Sequence, residues 1–258
     1  MSRWDGAQRL LARVLPLPMR TTLGLVRRPQ YSYCMWQAAR LAKRLGLDRI
    51  SVLEFGVAGG NGLVAIEAHA EEIRRTLGMD IAIYGFDTGG GLPAPVDYRD
   101  LPYHWRAGFF AMDQPRLRRR LRTAQLVLGD VRETARVFHD RTPAPPIGCM
   151  FHDLDFYSST RDSFQILEGD AARFLPRVFN YFDDIVGNEV ALYNDFTGQR
   201  LAIREFNEAH PTRKFAPCHH LVRRRPRVWH QQIFVLHDFA HPRYNAFISQ
   251  EDQQLPLR

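Results

Sequence analysis

From about residue 32 onward the chain alternates two hydrophobic patterns. In the first, apolar residues recur three and four apart: Met35, Ala38, Ala39, Leu41, Ala42 and Leu45 mark a helix over roughly 32–46 that stops at Gly46. The second is a short unbroken apolar run. RISVLEFG, IAIYGFD, AQLVLGD, IGCMFHD and RVFNYFDD are five of these, with helix-length stretches near 62–77 and 198–209 between some of them. Unbroken runs suit strands covered on both faces, and their alternation with helices predicts a doubly wound α/β sheet of mostly parallel strands, Rossmann-like in character. A last pair, APCHHLV and WHQQIFVL, is joined by the basic turn RRRPR (223–227). The gap is too short for a crossover helix, so this pair is predicted to be antiparallel.

Composition narrows the partners. With 258 residues there is enough chain for one sizeable core. The net charge of +7 favours anionic partners without choosing among them. Cys34, Cys149 and Cys218 show no CxxC spacing, which disfavours a disulfide framework or zinc site and suits a reducing, cytoplasmic setting. No apolar stretch approaches the length of a membrane span. Residues 1–30 read as a basic N-terminal arm, which leaves peripheral contact with a membrane surface open. Residues 31–258 read as a single domain with a lid-like insertion near 88–122. Tyr98, Tyr103, Trp105, Phe109 and Phe110 fill that insertion, with His104 as a lesser candidate base. The basic runs at 116–122 and 223–227 are read as solvated faces, and no nucleic acid is expected. Self-association stays open.

The five runs share a feature: each ends in an acid. These are Glu54, Asp87, Asp130, Asp153 and the pair Asp183–Asp184. In open α/β sheets ligands bind outside the carboxyl ends of the strands, so the acids are predicted to share one rim. Gly56, Gly59, Gly60 and Gly62 follow the first run; they permit close approach of a ligand to the backbone. The turn is neither a P-loop nor an in-register GxGxxG, because Ala58 holds the second glycine position. Asp87 is placed to accept from two ribose hydroxyls. Asp130 either meets an adenine amino group or caps the next helix. At this point NAD and S-adenosylmethionine both fit. Asp153 and Asp155, with Asp183 and Asp184, gather carboxylates whose mutual repulsion a divalent cation would relieve; all-oxygen ligands suit Mg²⁺. The competing reading makes some of them helix caps or partners of Arg161 or Arg204.

With these motifs in view, the sequence resembles class I S-adenosylmethionine-dependent methyltransferases, and within them the macrocin O-methyltransferase-like family. LEFGVAGGNG, GFDTGGGLP, HDLDFYSST, YFDDIVG and FTGQRLAIREF carry the likeness, over about residues 48–210. Phe156, Ser158 and Ile185 depart from that family's pattern. The resemblance implies a seven-stranded sheet with an antiparallel last strand. It also implies O-methylation of a sugar or related small-molecule or glycoside acceptor, itself open to being anionic. Glu54, Gly56, Gly60, Asn61, Asp87 and Asp130 are thereby expected around the cofactor. Asp153 is expected as the base, with Asp155 beside it, and Asp153, Asp183 and Asp184 as Mg²⁺ ligands. The alternatives are a NAD-dependent Rossmann oxidoreductase and a non-catalytic module that binds an adenosyl cofactor.

Overall fold

Strand order explains how the acids meet. In the computed structural model, which describes residues 14–222 and 227–249, seven strands form one sheet. They are β1 (Arg49–Phe55), β2 (Asp80–Asp87), β3 (Gln125–Leu128), β4 (Ile147–His152), β5 (Phe174–Phe182), β6 (Arg213–Pro217) and β7 (Ile233–Asp238). Their order across the sheet is β3-β2-β1-β4-β5-β7-β6. The first five pair in parallel, and β7 runs antiparallel to both β5 and β6. The chain reverses its direction of travel across the sheet between β1 and β4. At such a switch point the flanking loops diverge and leave a crevice at the strands' carboxyl ends.

Each face of the sheet is covered. Ile50 and Val52 of β1 pack into one apolar cluster with helix α2 (Pro29–Arg44) and helix α3 (Asn61–Leu77), after the preceding helix α1 (Leu17–Leu23). Leu53 and Phe55, on the opposite face of the same strand, pack into a second cluster. That cluster draws on α5 (Val131–Arg141), α6 (Tyr157–Ser163) and α7 (Gly198–Ala209); the short α4 (Gln114–Arg118) lies between β2 and β3. The period of two along β1 therefore feeds two cores, as expected of a strand buried on both sides. Tyr31 stacks flat on Phe151, with ring centroids 3.9 Å apart, and ties α2 to β4. A pair of this kind is worth about 0.5–1.5 kcal/mol beyond its buried area.

The structure moves several expected boundaries. The fifth strand begins at Phe174, three residues before the predicted RVFNYFDD run. The β4–β5 register shifts between Ile147 and Cys149, and that irregularity accommodates Pro176, which has no N–H to give to a ladder. The strand expected over APCHHLV lies instead at Arg213–Pro217, and 219–222 forms a short helix, α8 (His219–Val222). Its partner β7 starts only at Ile233, so Cys218 makes the last bond of the ladder, to the Ile233 carbonyl (2.9 Å). The joining basic turn lies outside the described residues except for Arg227. So does the first part of the expected N-terminal arm. Its described part packs on the domain: Leu17 and Leu25 are buried, and Pro29 opens α2 earlier than the apolar spacing alone placed it. Among the described residues no helix is long and apolar enough to cross a membrane.

Candidate functional site

The site is built from strand ends. Between β1 and α3 the chain turns through Gly56 (φ +84°) and Gly60 (φ +74°). A Cβ on Gly56 would lie 1.7 Å from the carbonyl oxygen of Asp153, because Asp153 N–H bonds the Phe55 carbonyl (2.9 Å) and draws the end of β4 against the turn. A Cβ on Gly62 would lie 1.6 Å from Glu54 Oε1, so the first turn of α3 leaves room for that carboxyl and little else. Ala58 takes the second glycine position at φ +45°, a conformation that costs a non-glycine residue about 1 kcal/mol.

Asp87, at the end of β2, holds this turn. Its Oδ2 accepts from Val57 N–H and Ala58 N–H (2.9 Å each), and its Oδ1 from Gly89 N–H (2.6 Å). Asp130 caps α5, accepting from Arg132 N–H at 2.8 Å, and also lines the cleft, which leaves the adenine contact open to it. Asn61 starts α3, and its side-chain oxygen accepts from Arg120 (3.1 Å), one of the arginines in the basic run at 116–122.

The result is one cleft of about 570 Å³. Glu54, Asp87, Asp130, Asp153, Asp155, Asp183 and Asp184 all line it, together with Gly56, Gly60 and Asn61. Every residue expected to bind or react therefore stands at the same rim. The lid-like segment supplies Leu92, His104, Trp105 and Phe110, and the loop after β5 supplies Val186, Ala191 and Tyr193. These two walls are joined where the Tyr103 hydroxyl donates to the Ala191 carbonyl (2.7 Å). The insertion is also pinned below. Buried Asp100 accepts from Ser158 N–H (2.8 Å) and from the Ser158 hydroxyl (2.9 Å), which ties it to the start of α6.

Burial and crowding set the charge state. Glu54 is almost fully buried, and its pKa is pushed up to about 8 by that burial, against the opposing pull of Arg28 and of the Tyr31 hydroxyl. Burial likewise raises Asp153, with Asp183 adding to the rise and Arg28 opposing it. Asp155 is raised by burial and then by Asp153 and Asp183; Asp184 by burial and then by Asp155, Asp153 and Asp183. Asp155 holds a backbone φ of +62°, off the usual range for an L residue, and its N–H donates to Asp184 Oδ2 (3.0 Å). His152, beside these acids in sequence, is a core residue. It lies between Phe55 (centroids 5.2 Å) and Phe182 (4.5 Å), and burial drives its pKa down to about 3, so it stays neutral.

Several contributors were invisible in the sequence reading. Arg28 is the one arginine or lysine among the described residues that line the cleft. Its Nη1 stands 3.6 Å from Asp153 Oδ2 and donates to the Tyr31 hydroxyl (3.1 Å), which in turn donates to Glu54 Oε1 (2.8 Å). Tyr193 donates to Asp184 Oδ1 (2.8 Å), and the Tyr181 hydroxyl bonds Asp183. Gln199 accepts from Asp184 N–H (2.9 Å) and donates to the His152 carbonyl (3.2 Å), locking the ends of β4 and β5 to α7. Pro29 marks the start of α2, but nothing in that signal places the preceding Arg28 side chain in the cleft.

Two groups are expected in this cleft, an adenosyl cofactor and Mg²⁺. An adenosyl cofactor fits: the turn is open at Gly59, which lines the cleft with nothing within 4 Å of where a Cβ would stand, and buried Glu54 Oε2 has no hydrogen-bond partner among the described residues. Mg²⁺ finds no such support in this arrangement. Asp184 is engaged at both oxygens by Tyr193 and by the Asp155 N–H, Asp183 by Tyr181, and Asp153 faces Arg28. Among the described residues no group of three His, Cys, Asp or Glu side chains is placed to hold a metal ion. The expected Mg²⁺ set of Asp153, Asp183 and Asp184 shares the cleft, and nothing in the arrangement of the three supports a bound ion.

No protein-family model and no curated protein matches the chain. Solved structures do. CalS11, a calicheamicin methyltransferase, aligns with a TM-score of 0.54 and 20% identity over 91% of this chain and 90% of its own. The O-methyltransferase NovP aligns with a TM-score of 0.51 and 16% identity over 70% of this chain and 72% of its own. Likeness at these identities establishes the fold, a Rossmann-like methyltransferase sheet with an antiparallel last strand.

Proposed function

We propose that the protein is an S-adenosylmethionine-dependent O-methyltransferase acting on a hydroxyl of a sugar or related small-molecule or glycoside acceptor. The observation that carries this reading is the convergence of every strand-end acid on one cleft beside a glycine-rich turn. The two aligned structures, both methyltransferases by name, support it.

When bound, the cofactor supplies an electrophilic methyl group on a sulfonium. The protein's tasks are to hold the reactants in line, exclude water and receive the acceptor's proton. In this reading Asp87 takes the ribose hydroxyls, Asp130 the base, and Glu54 the methionine ammonium. The acid-rich lining favours a ligand with positive charge at its reacting end. On the acceptor side, the Asp155 carboxyl makes no hydrogen bond with the described residues and stands next to Asp153 on the cleft. Burial and its neighbours raise it toward neutrality, where a carboxylate is most effective as a general base. Asp155 is the proposed proton acceptor, and Asp153, across from Arg28, shapes the charge beside it. Trp105, Phe110, Leu92 and Val186 form the apolar walls against which a ring can lie. Magnesium, expected from the paired strand-end aspartates and from the family resemblance, has no support in the arrangement of these carboxylates, and no step here depends on it.

The test is incubation with methyl-labelled S-adenosylmethionine and a panel of free sugars and glycosides, with products identified by mass. Label on an acceptor oxygen is expected. Asp155→Asn should cut turnover by about 10²–10⁴-fold while cofactor affinity stays within a few fold. Label transferred to nitrogen or carbon, or full activity in Asp155→Asn, would overturn the assignment.

A further inference from the structure

We propose that Arg28 is the residue that holds the α-carboxylate at the amino-acid end of the cofactor, opposite Glu54, which takes the ammonium. The inference rests on the transferase reading above and assigns a role that the strand-end acids cannot fill.

A cofactor with a methionine end brings a carboxylate into this cleft. Seven acids line the cleft, and Arg28 is the one arginine or lysine among the described residues there. Without a cation at that end, the ligand's carboxylate would meet like charges on every side. Arg28 is built to meet it. It precedes Pro29 as the N-cap of α2 in a left-handed conformation (φ +46°), which turns the side chain away from the helix and into the cleft. Its guanidinium sits over the Tyr31 ring, 4.9 Å from the centroid, and that ring is itself clamped flat on Phe151. Only Nη1 is engaged, by Tyr31 and by the 3.6 Å approach to Asp153; Nε and Nη2 make no hydrogen bond with the described residues. A guanidinium edge left in this way suits a bidentate carboxylate.

The second observation lies across the same hydroxyl. Tyr31 Oη receives from Arg28 at 3.1 Å and donates to Glu54 Oε1 at 2.8 Å, leaving Oε2 of this cleft-lining residue buried and without a partner among the described residues. An acceptor that lacks a donor and a donor edge that lacks an acceptor are thus held close together on one tyrosine. An α-amino acid zwitterion supplies the missing partner to each. A bare divalent cation or a sugar hydroxyl supplies at most one of the two.

The experiment is calorimetric titration of the full chain with three ligands. S-adenosylhomocysteine carries both charged groups, its decarboxylated analogue keeps only the ammonium, and 5′-methylthioadenosine has neither. Wild type should bind the decarboxylated analogue at least about tenfold more weakly than S-adenosylhomocysteine, which corresponds to about 1.4 kcal/mol. In Arg28→Met the two should bind alike within about threefold, with Arg28→Lys intermediate. Unchanged 5′-methylthioadenosine binding in the variants shows that the cleft is still folded. If Arg28→Met weakens the carboxylated and decarboxylated ligands equally, or if wild type does not distinguish them, the carboxylate assignment is overturned while the transferase reading stands. If wild type binds none of the three, the transferase reading fails and this inference fails with it.

Discussion

Replacing Glu54 with glutamine keeps the shape of the side chain and removes its titration. In the free protein burial holds the Glu54 pKa at about 8, so at pH 7 about nine tenths of the molecules carry the proton. A ligand ammonium against Oε2 stabilises the ionised form and pulls that pKa back down. Binding at pH 7 should therefore release close to one proton. Calorimetric titration with S-adenosylhomocysteine in buffers of different ionisation enthalpy reads this directly, because the slope of observed enthalpy against buffer enthalpy counts the protons. Wild type should give a slope of about one proton released at pH 7, falling toward zero above pH 9, and Glu54→Gln should give nearly none of it. A slope of zero in wild type, or an unchanged slope in Glu54→Gln, would refute the reasoning. The same shift has a sign for stability. Folding raises this pKa from its ordinary 4.5, so the free protein's stabilising contribution is full below that pH and is lost as pH rises to about 8. The span corresponds to at most about 5 kcal/mol. Free wild type should thus melt at a lower temperature at pH 8 than at pH 6, and Glu54→Gln should flatten that slope.

Other perturbations separate the parts of the cleft. Gly56→Ala must place a Cβ 1.7 Å from the Asp153 carbonyl at a φ of +84°, whereas Gly59 has open space around it. Thermal unfolding should show Gly56→Ala destabilised by about 1–3 kcal/mol and Gly59→Ala nearly unchanged; equal melting temperatures would contradict the packing of β4 on the turn. Asp100→Ala strips the acceptor from Ser158 N–H and its hydroxyl, and should cost about 1–3 kcal/mol in urea unfolding. It should also loosen the 88–122 segment toward protease, while an unaltered cleavage pattern would show that Asp100 does not anchor it. Tyr193→Phe removes the donor to Asp184 Oδ1 and should lower turnover more than cofactor affinity, which a comparison of kcat with the S-adenosylhomocysteine Kd would resolve.

The sheet was legible because its strands are buried on both faces. Unbroken apolar runs ending in acids fix both the strand and its carboxyl end, and those ends are where the cleft formed. The boundaries that moved did so for reasons that depend on partners. Pro176 enters β5 only because the β4 register slips there, and the ladder after Pro217 stops where β7 runs out. Asp130 shows the opposite limit: capping and ligand-facing roles looked like alternatives, and the geometry allows both. Ser158, a departure from the family pattern, becomes intelligible once Asp100, from a distant loop, is seen to be its partner. Arg28 could not be read in advance. Its place follows from a left-handed cap and a tyrosine clamped on a strand far along the chain, neither of which leaves a local pattern.

The metal question shows the same limit of pattern. Paired aspartates at adjacent strand ends predict a crowded acidic cluster correctly, but not what relieves it. Here tyrosine hydroxyls and Arg28 contact the acids, while burial and mutual repulsion raise Asp153 and Asp184.

The central claim is that the cleft binds an adenosyl cofactor through these side chains. Titrating the full chain with S-adenosylhomocysteine, with chelator and again with Mg²⁺, tests it most directly. One saturable site per chain is predicted, with an affinity that changes less than about twofold between the two conditions and falls at least about tenfold in Asp87→Ala, where the ribose loses its acceptor and the turn loses its anchor. Absence of binding, or binding indifferent to Asp87, would contradict the account.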